Sequence, residues 1–184
     1  SARIEQLPGF TEGLFSVQDE SSQAAVALLE PAPGQRVLDL CAAPGAKASY
    51  LAAKLGGTGE IVAVEANSAR ARSLTQLADR MGAPLRLVEG DGREVPLDGD
   101  FDAVLVDPPC SGLGVLGVRP DARWRRTQED VGRLAQLQGQ LLARALELVA
   151  PTGRVVYSTC TLLPAENDEV VRASGASIDD ITHL

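Results

Sequence analysis

The sequence predicts an α/β protein built on a parallel, doubly wound, Rossmann-like sheet. Three observations predict it. Short apolar segments bounded by Gly or Pro recur along the chain, and stretches of helical composition or period separate them. Acidic residues also stand at or just beyond three successive apolar segments, where such sheets hold ligands.

The elements follow in order. After an irregular N-terminal stretch, residues 19–30 have helical composition and stop at Pro31. Residues 35–40 (QRVLDL) are apolar and bounded by Pro-Gly, as a buried strand is. Residues 47–55 predict a helix ended by Gly56-Gly57, and residues 60–65 (EIVAVE) a second strand. Asn67 is placed to cap a helix running to Met81, with Leu74, Leu77 and Met81 on one face and Gly82 as the stop. Residues 85–89 and 101–106 (FDAVLV) predict strands three and four. A long helix starts at Thr127 and carries Leu134, Leu137, Leu141, Ala145 and Leu148 at spacings of three and four. Residues 151–153 punctuate, residues 154–158 (RVVYS) predict a fifth strand, and residues 164–171 suit a short helix.

The 184 residues suit a single domain, and 3% aromatic content means a core of Ala, Val and Leu. No apolar run reaches membrane-span length and the N-terminus has no secretion signal, so a cytoplasmic location with no membrane partner is expected. The net charge of -8 counts against nucleic-acid binding unless basic residues cluster locally. Three cysteines, Cys41, Cys110 and Cys160, form no disulfide framework and no Cys-x-x-Cys metal site, so no metal is expected. With His183 as the one histidine, Ser-His-Asp and Cys-His chemistry is poorly supplied.

Strand one runs into Cys41-Ala42-Ala43-Pro44-Gly45-Ala46-Lys47, whose small residues let backbone approach a ligand at a helix N-terminus. The loop lacks the G-x-G-x-x-G of dinucleotide sites, which counts against a dehydrogenase. Glu65 ends strand two and suits ribose hydroxyls; Asp91 follows strand three and suits an adenine amino group; Asp107 ends strand four and suits an ammonium group. A single acid at such a place is usually a solvated turn residue. Three on successive strands favour a positively charged nucleoside, and S-adenosylmethionine is one.

Cys110 follows strand four in Asp107-Pro108-Pro109-Cys110, and Cys160 follows strand five in Ser158-Thr159-Cys160-Thr161. Two thiols beyond adjacent strands suit covalent catalysis on a pyrimidine. A thiolate adding at carbon 6 of cytosine makes carbon 5 nucleophilic toward a methyl donor. Spacing alone leaves open which thiol attacks. Cys41 reads as a small buried apolar residue.

At these residues the chain closely resembles the Sun/RsmB family of RNA (cytosine-5) methyltransferases. The matching segments are LPGFTEG, VQDESSQ, VLDLCAAPGAK, VEAN, EGDGRE, DPPCSGLGV, PDARW and YSTCTLLPAEND, in the family's order. The resemblance implies a class I S-adenosylmethionine-dependent methyltransferase fold. It implies Cys160 as nucleophile and Cys110 as the group assisting release. It also implies cofactor contacts from residues 41–47, Glu65, Asp91 and Asp107, with Asp107 helping to orient the cytosine. The departures are Gly-Ala-Lys-Ala for Gly-Gly-Lys-Thr, Glu65 for Asp, Pro108 for Ala and Thr161 for Ser. Alanine at 46 is tolerable only if its φ is negative. Five strands leave about a dozen residues after the last helix, so the chain is expected to be a fragment lacking the final strand pair, with strand five at an edge, and lacking the family's RNA-binding domain.

Arg119, Arg123, Arg125 and Arg126 surround Trp124 and form the expected RNA contact, since guanidinium groups pair with phosphate and aromatic planes stack on bases. For Trp124, burial in the core is an equal alternative. The expected partner is ribosomal RNA, with transfer RNA as the second choice, and the protein is expected as a monomer. Two other functions compete: methylation of an amine on RNA or protein, which needs no thiol, and a non-catalytic RNA-binding or assembly module.

Overall fold

The structure, a computed structural model, describes residues 3–118 and 120–178, with the backbone alone for residues 122 and 123. The chain packs as two compact units. One comprises Ser1–Pro108 with Arg144–Ser158, the other Pro109–Ala143 with Thr159–Leu184.

The first unit is a five-stranded parallel sheet of β1 (Arg36–Asp39), β2 (Glu60–Glu65), β3 (Arg86–Glu89), β4 (Phe101–Val106) and β5 (Val149–Tyr157), in the order β3-β2-β1-β4-β5. β1 is central, with Val37 opposite Ile61 on one side and Ala103 on the other. Its Val37 and Leu38, and the run Ile61–Val64 of β2, are buried without alternation, as expected of strands covered on both faces. The chain moves outward from β1 to β3, then returns to lay down β4 and β5 on the opposite side. The direction of winding therefore reverses between β1 and β4, and ligands of such sheets bind beyond the strand ends at this reversal.

Three helices belong to this unit. α1 (Glu20–Leu29) starts where the Asp19 carboxylate accepts the Ser22 N–H at 2.8 Å, and it buries Val26 and Leu29 completely. Each such side chain contributes roughly 1.5–3 kcal/mol. α2 (Ala46–Leu55) follows Gly45 and packs Leu51 and Leu55 into a core with α1, β1, β2 and β4. α3 (Ser68–Met81) is capped by Asn67, whose side-chain oxygen accepts the N–H groups of Ala69 and Arg70. Arg80 donates to the carbonyls of Phe10 and Phe15 and lies over the Phe10 ring, docking the irregular N-terminal stretch, which includes a 3-10 turn at Ile4–Gln6.

β5 begins earlier than the sequence predicts. It pairs Val149 with Phe101, loses register, and resumes at Arg154 opposite Ala103. The expected punctuation at residues 151–153 lies inside this irregularity. A Cβ on Gly153 would sit 2.8 Å from the carbonyl oxygens of Phe101 and Asp102, so the bulge closes on β4 only with glycine there. β5 stands at one edge of the sheet, as expected.

The second unit holds α4 (Ala122–Arg125), most of α5 (Gln128–Leu148), a 3-10 turn at Pro164–Glu166, and α6 (Asp168–Ser174). α4 is a single turn, spanned by the Asp121–Arg125 ion pair. The last helix starts later than the sequence predicts because Asn167 leaves helical geometry at φ -124 and ψ -93. Among the described residues no helix is long and apolar enough to cross a membrane.

Candidate active site

In the first unit, the ends of β1, β2 and β4 gather two of the acids that the sequence singled out, Glu65 and Asp107, and one it did not. Asp39 ends β1 almost completely buried, and neither carboxyl oxygen has a well-formed hydrogen bond. Burial pushes its pKa up to about 7, and the charge of Asp107 adds to the rise. Lys47 and the Cys41 N–H oppose that rise but weigh less. The Lys47 ammonium, on the first turn of α2, donates to Asp107 Oδ2 at 2.7 Å and to Ser22 Oγ at 3.1 Å. Asp107 does face an ammonium group, the chain's own.

The loop from β1 to α2 is held by its backbone. The Ala42 N–H donates to the Val64 carbonyl at 2.9 Å, and Arg70 Nη2 donates to the Ala43 carbonyl at 2.5 Å. The Ala43–Pro44 peptide is cis, and Gly45 has φ 108. A Cβ at Gly45 would be strained by that φ and would meet Leu74 Cγ at 3.2 Å. Ala46 is the first residue of α2 and is not among the positive-φ residues, so its side chain is tolerated. No side chain caps Gly45, so the first-turn N–H groups of α2 point outward, the arrangement that attracts anionic or polar ligand atoms.

Glu65 is buried, and its Oε1 accepts the Asn67 N–H at 2.9 Å, with Arg70 Nη2 3.7 Å from its other oxygen. Asp91 is gripped by Arg93, which donates from its backbone N–H and from its guanidinium. These bonds, the guanidinium first, hold the Asp91 carboxyl below its ordinary pKa. Cys41 is half-exposed as a residue, but burial of its sulfur and the charge of Asp39 push the thiol well above its ordinary range. A thiol held protonated in this way is a poor nucleophile.

In the second unit, the sulfur atoms of Cys110 and Cys160 lie 3.1 Å apart. This is a hydrogen-bonding distance, well beyond the roughly 2.05 Å of a disulfide. Cys160 is exposed and Cys110 half-buried. The bond to Cys160, then burial, raises the Cys110 pKa, so Cys110 holds its proton.

A buried polar cluster lies directly behind the two thiols. Glu166 has no exposed surface. Its carboxylate accepts the Ser111 N–H at 2.8 Å, the Ser111 hydroxyl at 2.5 Å and the Gln138 amide at 2.9 Å. Because the Ser111 proton points to Glu166, the Thr161 hydroxyl donates to Ser111 Oγ, at 2.9 Å. Gln138 also donates to the Pro109 carbonyl, and the Gly114 N–H donates to the Cys160 carbonyl at 3.0 Å. Asn167 spans the other end, donating to the carbonyls of Thr161 and Leu163 and pairing with Thr159.

Of the arginine cluster, Arg119 lies outside the described residues, as do the side chain of Arg123 and His183. Arg125 is exposed beside Asp121, and Arg126 Nε donates to the Ser111 carbonyl at 3.3 Å. Trp124 is 79% exposed, which removes the alternative of a core tryptophan.

Sequence reasoning missed Asp39, Ser22, Arg70, Ser111, Gln138 and Glu166. Asp39 was visible as an acid inside an otherwise apolar strand. Gln138 was visible as an amide on the apolar stripe of α5, four residues from Leu134 and three from Leu141. A polar residue in such a position signals a buried partner.

Comparison with known proteins bears on both units. The family described as 16S rRNA methyltransferase RsmB/F matches residues 26–181. Ribosomal RNA small subunit methyltransferase B of Pseudomonas syringae pv. tomato is 41% identical over 186 residues, covering 97% of this chain and 42% of its own length. The protein of the same name from Enterobacter sp. is 38% identical over 94% of this chain and 41% of its own. The crystal structure of NSun6 from Pyrococcus horikoshii with SFG superposes with a TM-score of 0.86 at 32% identity, covering 94% of this chain and 45% of that one. The chain thus spans about two-fifths of the length of the curated relatives it matches.

Proposed function

Because the chain belongs to the 16S rRNA methyltransferase RsmB/F family, we propose that it is the catalytic part of an enzyme that methylates carbon 5 of a cytosine in ribosomal RNA. The observation that carries this reading is the pair of sulfur atoms 3.1 Å apart, on the segments that directly follow β4 and β5. Methylation of an amine gives no use for two adjacent thiols. A binding or assembly module would give none either.

The residues at the strand ends fit S-adenosylmethionine. Residues 41–47 supply open backbone N–H groups and a glycine that no larger residue can replace. Glu65 keeps one carboxylate oxygen without a close donor, and Asp107 carries a carboxylate beside Lys47. Asp91 can serve the base only if Arg93 shares it. Asp39 joins this group as a buried acid whose oxygens have no well-formed hydrogen bond among the described residues. When bound, the cofactor supplies an electrophilic methyl group on a sulfonium sulfur.

The chain's own residues divide the remaining work. Cys160, the exposed thiol, adds as thiolate to carbon 6 of an unpaired or flipped cytosine, which makes carbon 5 nucleophilic. Once carbon 5 carries the methyl group, transfer of its proton to water reforms the ring double bond as the carbon–sulfur bond breaks. The electron pair of that bond returns to Cys160. Cys110, kept protonated, donates a hydrogen bond to the departing sulfur and so favours release. Asp107, held by Lys47, orients the cytosine. The exposed Trp124 with Arg119, Arg123, Arg125 and Arg126 meets the RNA.

The test uses the full-length protein, labelled cofactor and total RNA, with mapping of 5-methylcytosine. Cys160→Ala is expected to abolish methyl transfer, and Cys110→Ala to accumulate a covalent RNA adduct on a denaturing gel. Adduct accumulation with Cys160→Ala instead would reverse the two roles. Methylation that survives loss of both thiols would overturn the reading.

A further inference from the structure

We infer that Glu166 is the positioning residue that sets the distance between the two reacting sulfur atoms. The claim that this distance matters to catalysis rests on the reaction proposed above; the claim that Glu166 sets it does not. Cys110 and Cys160 are 50 residues apart in sequence, and each sits on an irregular segment with no strand or helix to fix it. One fully buried carboxylate joins the two segments. Through Ser111 and, by way of Gln138, Pro109, it holds both neighbours of Cys110. Through its own place six residues after Cys160, and the Thr161–Ser111 hydroxyl bond, it holds the other segment. A carboxylate is suited to this because it only accepts, so donors from both segments can converge on it.

Glutamine has nearly the same shape but replaces one acceptor with a donor. In Glu166→Gln the new NH₂ group faces either the Ser111 hydroxyl, whose proton must then leave for Thr161, or the Ser111 N–H, which loses its acceptor. The core stays filled while the tie between segments loosens. Ser111→Ala removes the hydroxyl links from the other end with a smaller change. Neither variant alters a group that touches substrate or cofactor.

The experiment reads sulfur proximity directly. The full-length protein is equilibrated with oxidised and reduced glutathione, quenched, and the Cys110–Cys160 disulfide quantified by mass spectrometry of the linked peptides. Formation of that bond removes one hydrogen from each thiol and reduces one glutathione disulfide to two glutathiones, so electrons and protons balance. The equilibrium constant is expected to fall about tenfold in Glu166→Gln and less in Ser111→Ala, with far-UV dichroism unchanged. An unchanged constant in either folded variant overturns the proposal. Should Glu166→Gln fail to fold, Ser111→Ala decides alone. In methylation assays the same variants are expected to lower kcat and accumulate adduct while KM for S-adenosylmethionine stays constant, a split that general loosening of the fold would not produce. If the wild-type protein forms no 5-methylcytosine, the reaction proposed above fails, and the thiol equilibrium still decides the role of Glu166.

Discussion

At the scale of single residues, Asp39 and the three thiols illustrate how environment alone separates chemically identical groups. Asp39 keeps its proton in the folded protein up to about pH 7, whereas the unfolded chain releases it near 3.8. Between those values the folded state binds more protons, so stability falls as pH rises and then levels off. The ceiling on this loss is about 4 kcal/mol, from roughly three pK units at 1.36 kcal/mol each. Asp39→Asn should therefore flatten the stability profile. The difference in Tm between pH 5 and pH 8 is expected to shrink by several degrees, measured by calorimetry; an unaltered difference would show that Asp39 does not titrate in this range. Among the thiols, exposed Cys160 should react first with iodoacetamide at pH 8, ahead of half-buried Cys110 and Cys41, whose pKa values are both raised. Peptide mapping after timed quenching gives the order directly.

At the scale of elements, two positions decide whether strand and helix ends form where they do. Asn67 satisfies two first-turn N–H groups of α3, so Asn67→Ala is expected to cost about 1 kcal/mol. For a chain of this size that lowers Tm by roughly 2–4 °C. Gly153 sits where β5 recrosses β4, and a methyl group there would press on two carbonyl oxygens and on Val149. Gly153→Ala is expected to cost about 1–3 kcal/mol, because backbone must move to relieve the overlap. Equal stability of the variant in urea unfolding would mean that the bulge is more pliable than its contacts suggest. These element ends were legible to very different degrees. Asn67, Gly56 and Gly82 announced α2 and α3 through side chains that act within a few residues. The start of β5 and the break before α6 depend on neighbours distant in sequence, and local pattern could not locate them.

At the scale of the whole molecule, the net charge of -8 must be reconciled with the RNA substrate proposed above. Uniform attraction is absent, so on that proposal association would depend on a few local cations such as Arg125 and Arg126. Each cation that neutralises a phosphate of single-stranded RNA adds roughly 0.7 to the slope of log affinity against log salt. Replacing Arg125 and Arg126 with Ala should thus weaken binding for all sequences and reduce that slope by roughly 1.4. Filter binding from 50 to 300 mM salt tests this, and an unchanged slope would place the RNA elsewhere. The exposed Trp124 that precedes them is expected to add stacking, worth about 1–3 kcal/mol, and its fluorescence offers an independent signal of base contact.

The sequence by itself determined the parallel alternation, the acids at the strand ends, and the two thiols beyond β4 and β5. These features are periodic or local, so residue order encodes them without reference to the rest of the fold. Only the tertiary structure decided that Cys110 and Cys160 touch, that Asp39 is buried with no well-formed hydrogen bond among the described residues, that Lys47 engages Asp107, and that Glu166 joins the cysteine segments. Each of those depends on residues tens of positions apart meeting across folded backbone, where burial and hydrogen bonding, rather than neighbouring sequence, set the chemistry.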